Sequence, residues 1–290
     1  MTQITGYQFV NSVTDLQNIQ NDLAGNYALG KDIDASGSTF TTLGFASNSA
    51  FSGQFDGMWH TISSLSPKFD AVFNDIGANG VVRNVNVNSK VGTTVFFFDG
   101  SAILAIHNHG TVANVFTSGS IVSEGSDAGD SFAGLVATNY GLIERSGSSA
   151  TVASDGTAAG LVLTNEGTIT ESYSIGPVSG LSSHGPAGGL VGFNGGTVTQ
   201  SFVAGPARSV SRQVGGVCAS CGGLGSDVYW NVQTTGQPTS GGNLPASNGL
   251  TTAQMSNPAT FAGWDFGPNA AWVMLPGATY PVLAWQVARH

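Results

Sequence analysis

Arg145 and Glu171 stand at the same position in two neighbouring stretches of this chain, and their types suit acid–base chemistry. A carboxylic acid beside an activating cation is one reading of such a pair. The same position holds Asn84, Asn114 and Gln200 elsewhere. A polar ladder that satisfies turn backbone, with an ion pair between units, is therefore the reading we favour. Strict alternation from Ile169 would turn Glu171 inward beside Tyr173, so either a corner intervenes or the pair is buried. A second acidic set, Glu124, Asp127, Asp130 and Asp155, falls in Gly/Ser-rich loops. Two carboxylates ~5–9 Å apart would suit glycoside hydrolysis, and three with carbonyls would suit calcium. Neither an EF-hand nor a Gly-rich calcium repeat occurs, and solvated loop charge is the simpler account of these possible ligand-binding loops. His107 and His109 face one side of an extended segment but lack a third ligand nearby. Cys218 and Cys221 are the only thiols. As a zinc half-site they lack the other half, while a disulfide and two buried thiols remain open as equal readings. No metal or cofactor is expected.

What would position these residues is repetition. Gly134-Leu-Val136, Gly160-Leu-Val162 and Gly189-Leu-Val191 each lead to an Asn-x-Gly turn. With a worn copy at 102–112, the turn asparagines are Asn108, Asn139, Asn165 and Asn194, at intervals of 31, 26 and 29 residues. Cys221 falls in the asparagine slot of a following copy. Units of this length bury a face only against their neighbours. Three short strands per unit fit an all-β parallel β-helix, a β-solenoid, with Leu135, Leu161 and Leu190 in one inward column. Ile143, Ile169 and Val198 form a second column, and Val152, Val178 and Val210 mark a third strand. Glycine in Asn-x-Gly is expected to supply positive φ.

The solenoid body is expected over 71–231. Residues 1–70 read as first coils plus a cap, because Val13, Leu16, Ile19 and Leu23 have helical spacing, with Thr14 and Gln17 as a capping box. Residues 232–290 read as a C-terminal capping segment. A Gly/Ser/Thr/Pro loop and a short helix at 251–255 precede Phe261, Trp264, Phe266, Trp272, Tyr280 and Trp285, which suggest a plug over the last coil. An aromatic platform for sugar is the rival reading. Val95-Phe-Phe-Phe98 reads as core or cap.

Composition narrows the function. Charged residues make up 9% of the chain and the net charge is −9, which disfavours nucleic acid and anionic lipid as partners. No apolar run is long enough for a membrane span. The N-terminus carries no secretion-signal pattern, so if the protein is exported this chain is expected to be an internal piece of something longer.

The Gly-Leu-Val segments, with Thr197-Val-Thr-Gln-Ser-Phe202 and Ile169-Thr-Glu-Ser-Tyr173, resemble GLUG-motif repeats. The lead-in at 27–34 and 51–57 and the tail at 229–231, 249–255, 263–266 and 280–283 resemble segments flanking such arrays. These repeats occur in bacterial surface exoproteins of the filamentous-haemagglutinin and two-partner-secretion type, and in some immunoglobulin-A peptidases outside their catalytic parts. The resemblance implies a right-handed β-solenoid, placement outside the cell or on its surface, and an adhesive or scaffolding role. The leading expectation is a structural and adhesive segment that presents loops to a glycan or a host or cell-surface protein. It supplies no catalytic residue. Arg145 and Glu171 depart from it where Asn is expected. A polysaccharide-active β-helix enzyme is the alternative.

Overall fold

In a computed structural model of the chain, residues 6–68, 71–93, 100–123 and 129–288 are described. Glu124, Asp127 and the segment Val95–Phe98 therefore lie outside the described residues. Short strands stack in parallel into a β-solenoid of about seven turns with three parallel sheets. One sheet is broad. A second joins Phe73–Ile76, Ala105–Asn108, Val136–Asn139, Val162–Asn165, Val191–Asn194 and Cys218–Cys221, and the third joins two-residue strands such as Phe132–Ala133 and Ala158–Ala159.

Register explains the columns. Leu135 donates its N–H to Leu161 O at 2.9 Å and Leu161 donates to Leu190 O at 2.8 Å, with all three side chains fully buried. The second column runs Tyr27, Phe55, Val82, Val112, Ile143, Ile169 and Val198. The coils on either side thus help to remove these apolar side chains from water. The third column corrects the sequence expectation: Val178 pairs with Ala207, and Val210 lies just beyond, 64% exposed. Coils at 81–93 and 111–123 cross the broad sheet as single strands of 13 residues. The next coil divides the same path into Leu142–Glu144, Gly147–Ser148 and Thr151–Ser154.

The open N-terminal edge is covered by a helix, Val13–Asn18, extended by a tight turn over Ile19–Asn21. Its N-cap is Ser12, whose hydroxyl accepts from Asp15 N at 3.1 Å, and not Thr14. Gln17 has another task. Its amide donates to Thr41 O at 3.1 Å and accepts from Thr41 N at 2.7 Å, pairing backbone that an exposed edge would leave open.

The C-terminal segment divides in two. Residues 239–244 close the last coil: Val217 N donates to Ser240 O at 3.0 Å, and Leu244 enters the core. The aromatic stretch does not plug that end. It runs back along the flank as a strap over an outward column comprising Phe116, Tyr173, Phe202 and Tyr229. Tyr173 and Phe202 stack at 5.2 Å, Trp272 lies 5.5 Å from Phe202, and Phe261 lies 5.2 Å from Tyr229. Such ring pairs add about 0.5–1.5 kcal/mol each beyond area burial.

Candidate functional site

Two corners carry the polar residues singled out by the sequence. At the first, Asn108 Nδ2 donates to Asn139 Oδ1 at 2.7 Å, Asn139 to Asn165 at 2.8 Å, and Asn165 to Asn194 at 2.6 Å. Asn194 then donates to Gly222 O at 2.7 Å. Stacked amides offer a donor and an acceptor on opposite edges, so each is satisfied by the coils above and below. The glycines of Asn-x-Gly correct the positive-φ expectation. A Cβ on Gly141 would stand 2.2 Å from Gly110 O, and one on Gly167 2.3 Å from Gly141 O. Glycine is required there by the close approach of successive backbones.

Positive φ occurs instead at the second corner: Asn84 at 55°, Asn114 at 54°, Arg145 at 45°, Glu171 at 48° and Gln200 at 42°. A corner therefore intervenes, and it carries Glu171 out of the strict alternation. Asn84 Nδ2 donates to Asp56 Oδ1 at 3.0 Å, Asn114 Nδ2 to Asn84 Oδ1 at 2.9 Å, and Arg145 Nε to Asn114 Oδ1 at 3.1 Å. The Arg145 guanidinium also binds Glu144 and approaches Glu171 at 3.7 Å. Burial pushes the Glu171 carboxyl above its ordinary range, against the lowering pull of Arg145 and with a further push from Glu144.

Behind this corner lies a ladder the sequence reading missed. Ser172 Oγ accepts from Ser146 N at 3.2 Å, and Ser201 Oγ accepts from Ser172 N at 3.1 Å. Each hydroxyl donates to the carbonyl two residues back. The signal was a Ser directly after each of positions 145, 171 and 200.

Of the acidic loop residues, Asp130 and Asp155 are brought together by Ser123. Its hydroxyl lies 2.7 Å from Asp155 Oδ2 and 3.4 Å from Asp130 Oδ2. His109 sits 2.9 Å from Asp75 and stacks on Tyr140 at 4.8 Å, with His107 6.4 Å away. Among the described residues, no three His, Cys, Asp or Glu gather to hold a metal. Cys218 and Cys221 are joined by a disulfide at the end of the asparagine ladder, beside Gly242 of the closing segment.

No family model matches the chain. Over 164 residues it is 32% identical to halomucin of Haloquadratum walsbyi (strain DSM 16790 / HBSQ001), an alignment covering 51% of this chain and 2% of halomucin. It thus spans about one-fiftieth of that relative's length. The crystal structure of a candidate immunoglobulin A1 protease from Bacteroides ovatus superimposes with a TM-score of 0.72 at 18% identity, covering 96% of this chain and 92% of that one. No helix among the described residues is long and apolar enough to cross a membrane. The chain is a parallel β-solenoid sharing its fold with the Bacteroides protein and part of its sequence with halomucin.

Proposed function

We propose that this chain is a structural and adhesive segment of a cell-surface protein, extracellular and part of a longer polypeptide, in which a stiff solenoid holds surfaces out for glycan or protein contact. The observation that carries this reading is the use made of the polar corner groups. Asn108, Asn139, Asn165 and Asn194 spend their amides on one another, and Arg145 is held by Asn114, Glu144 and Glu171. Groups committed in this way position backbone and have little freedom to serve a substrate. The GLUG-like residues and the partial match to halomucin support the same placement.

A polysaccharide-cleaving activity is the second reading, favoured by the raised carboxyl of Glu171 beside Glu144. A glycan array combined with a cleavage assay on acidic and neutral polysaccharides separates the two. Binding without repeated turnover is expected. Turnover that Glu171→Gln abolishes would replace the adhesive reading with the enzymatic one.

A further inference from the structure

One coil breaks the spacing of the others at the second corner. Asp56 pairs with Arg83 and Thr61 with Asn86, so the path from 56 to 61 holds two more residues than the path from 83 to 86. The surplus is absorbed at Met58 and Trp59, which take positive φ of 49° and 68°. A bulky side chain adopts that region at a cost, and such outliers cluster where a site needs them. The corner is over-determined: Asp56 Oδ1 accepts from Met58 N at 2.9 Å, and Trp59 N donates to Asn84 O at 2.8 Å.

The flank strap ends at this bulge. Trp285 is fixed by its indole N–H, which donates to Arg145 O at 2.8 Å, and its ring lies 5.5 Å from that of Trp59. A cleft of about 360 Å³ opens beside the pair, lined by Trp59, Asn86, Trp285, Gln286 and Ala288. Its volume is at the small end of ligand sites, the scale of a single sugar ring or two.

Two amides face this cleft with hydrogen-bonding capacity to spare. Gln286 Oε1 accepts from the Tyr173 hydroxyl at 2.8 Å and from Leu283 N at 3.3 Å, which fixes the amide plane. Its Nε2 has no partner among the described residues, and neither has the side chain of Asn86. Asn86 occupies the register position that is Phe116 in the next coil and Tyr173 and Phe202 further along. A contact that merely anchored the strap would favour another aromatic ring there. Among the described residues no charged side chain lines the cleft.

We propose that the cleft is a subsite for one neutral pyranose unit of a glycan. The sugar's C–H face rests on the Trp59 indole, and its hydroxyls pair with Asn86 and with Nε2 of Gln286. The net charge of −9 selects against uronates and sulfated sugars. The proposal rests on the adhesive reading and names the surface and ligand class within it.

The test is calorimetric titration of the full chain with the methyl glycosides of glucose, galactose, mannose and N-acetylglucosamine, with glucuronic acid as the charged control. A glycan array on the same protein runs alongside. At least one neutral glycoside is expected to bind, and Asn86→Ala and Trp59→Ala should each weaken it about tenfold or more. Asn86→Ala is the decisive variant, since its amide holds no other described residue in place and its melting temperature should be that of the parent. Array binding that survives both substitutions would overturn the cleft and leave the adhesive reading intact. A blank array with no calorimetric signal would remove both the cleft and the glycan part of that reading. Glucuronic acid binding as tightly as the neutral glycosides would overturn the ligand class.

Discussion

At one corner of the solenoid four successive coils carry Asn, while at the next corner the same coils carry Asn114, Arg145, Glu171 and Gln200. The first corner encloses its side chains: Asn108, Asn139 and Asn165 are fully buried, and each must both give and accept a hydrogen bond. A short amide does both within the space. The second corner makes its demand on the backbone, which turns through positive φ while the side chain lies at the border of solvent. Any residue that tolerates the turn can stand there, and the serine behind it satisfies the neighbouring N–H. Residue identity is thus tightly constrained where a side chain is the structural element, and loosely where the main chain is.

That contrast can be broken by substitution. Gly167→Ala should cost most, about 3 kcal/mol, because its Cβ would meet Gly141 O at 2.3 Å. A melting curve matching the parent would show that the coils have room to separate. Asn165→Ala should cost about 2 kcal/mol, since it interrupts the ladder and removes the donor to Asn194. Chemical denaturation measures this, and a change within error would mean the ladder contributes no net stability.

At the second corner the sign should reverse. Glu171→Asn is expected to stabilise by about 0.5–1 kcal/mol, because Asn tolerates this backbone region better than Glu. A destabilisation would show that the Arg145 contact outweighs the backbone cost. The smallest effect concerns pH. The folded carboxyl of Glu171 is raised by burial, so its contribution is whole below the unfolded value of about 4.3 and is lost as pH rises through the folded value. Glu171→Gln should therefore melt with the parent near about pH 4 and above it at neutral pH. An equal difference at both values would assign the shift to another group.

Much of this was readable from the residues because stacking repeats every constraint once per coil. Leu135, Leu161 and Leu190, and the four asparagines, declare themselves by recurrence. Glycine was misread at Gly141 and Gly167 because sequence does not say whether it serves φ or space. Val210 was misplaced because Ala207, a small residue, fills the column that a valine suggested. The strap was missed because its aromatics have no period, and because Gly147 interrupts the outward column they cover. The disulfide at Cys218 and Cys221 settles, between two open readings, a point that depends on spatial proximity.

The strap also changes how the molecule would bear load. In a simple stack, tension on the last residue peels coils away one after another from the end. Here Trp285, at the far end of the strap, is held to Arg145 and Trp59, several windings back toward the N-terminus. A pull on the C-terminus therefore enters the body in its interior and must shear the aromatic flank before the terminal winding can unzip.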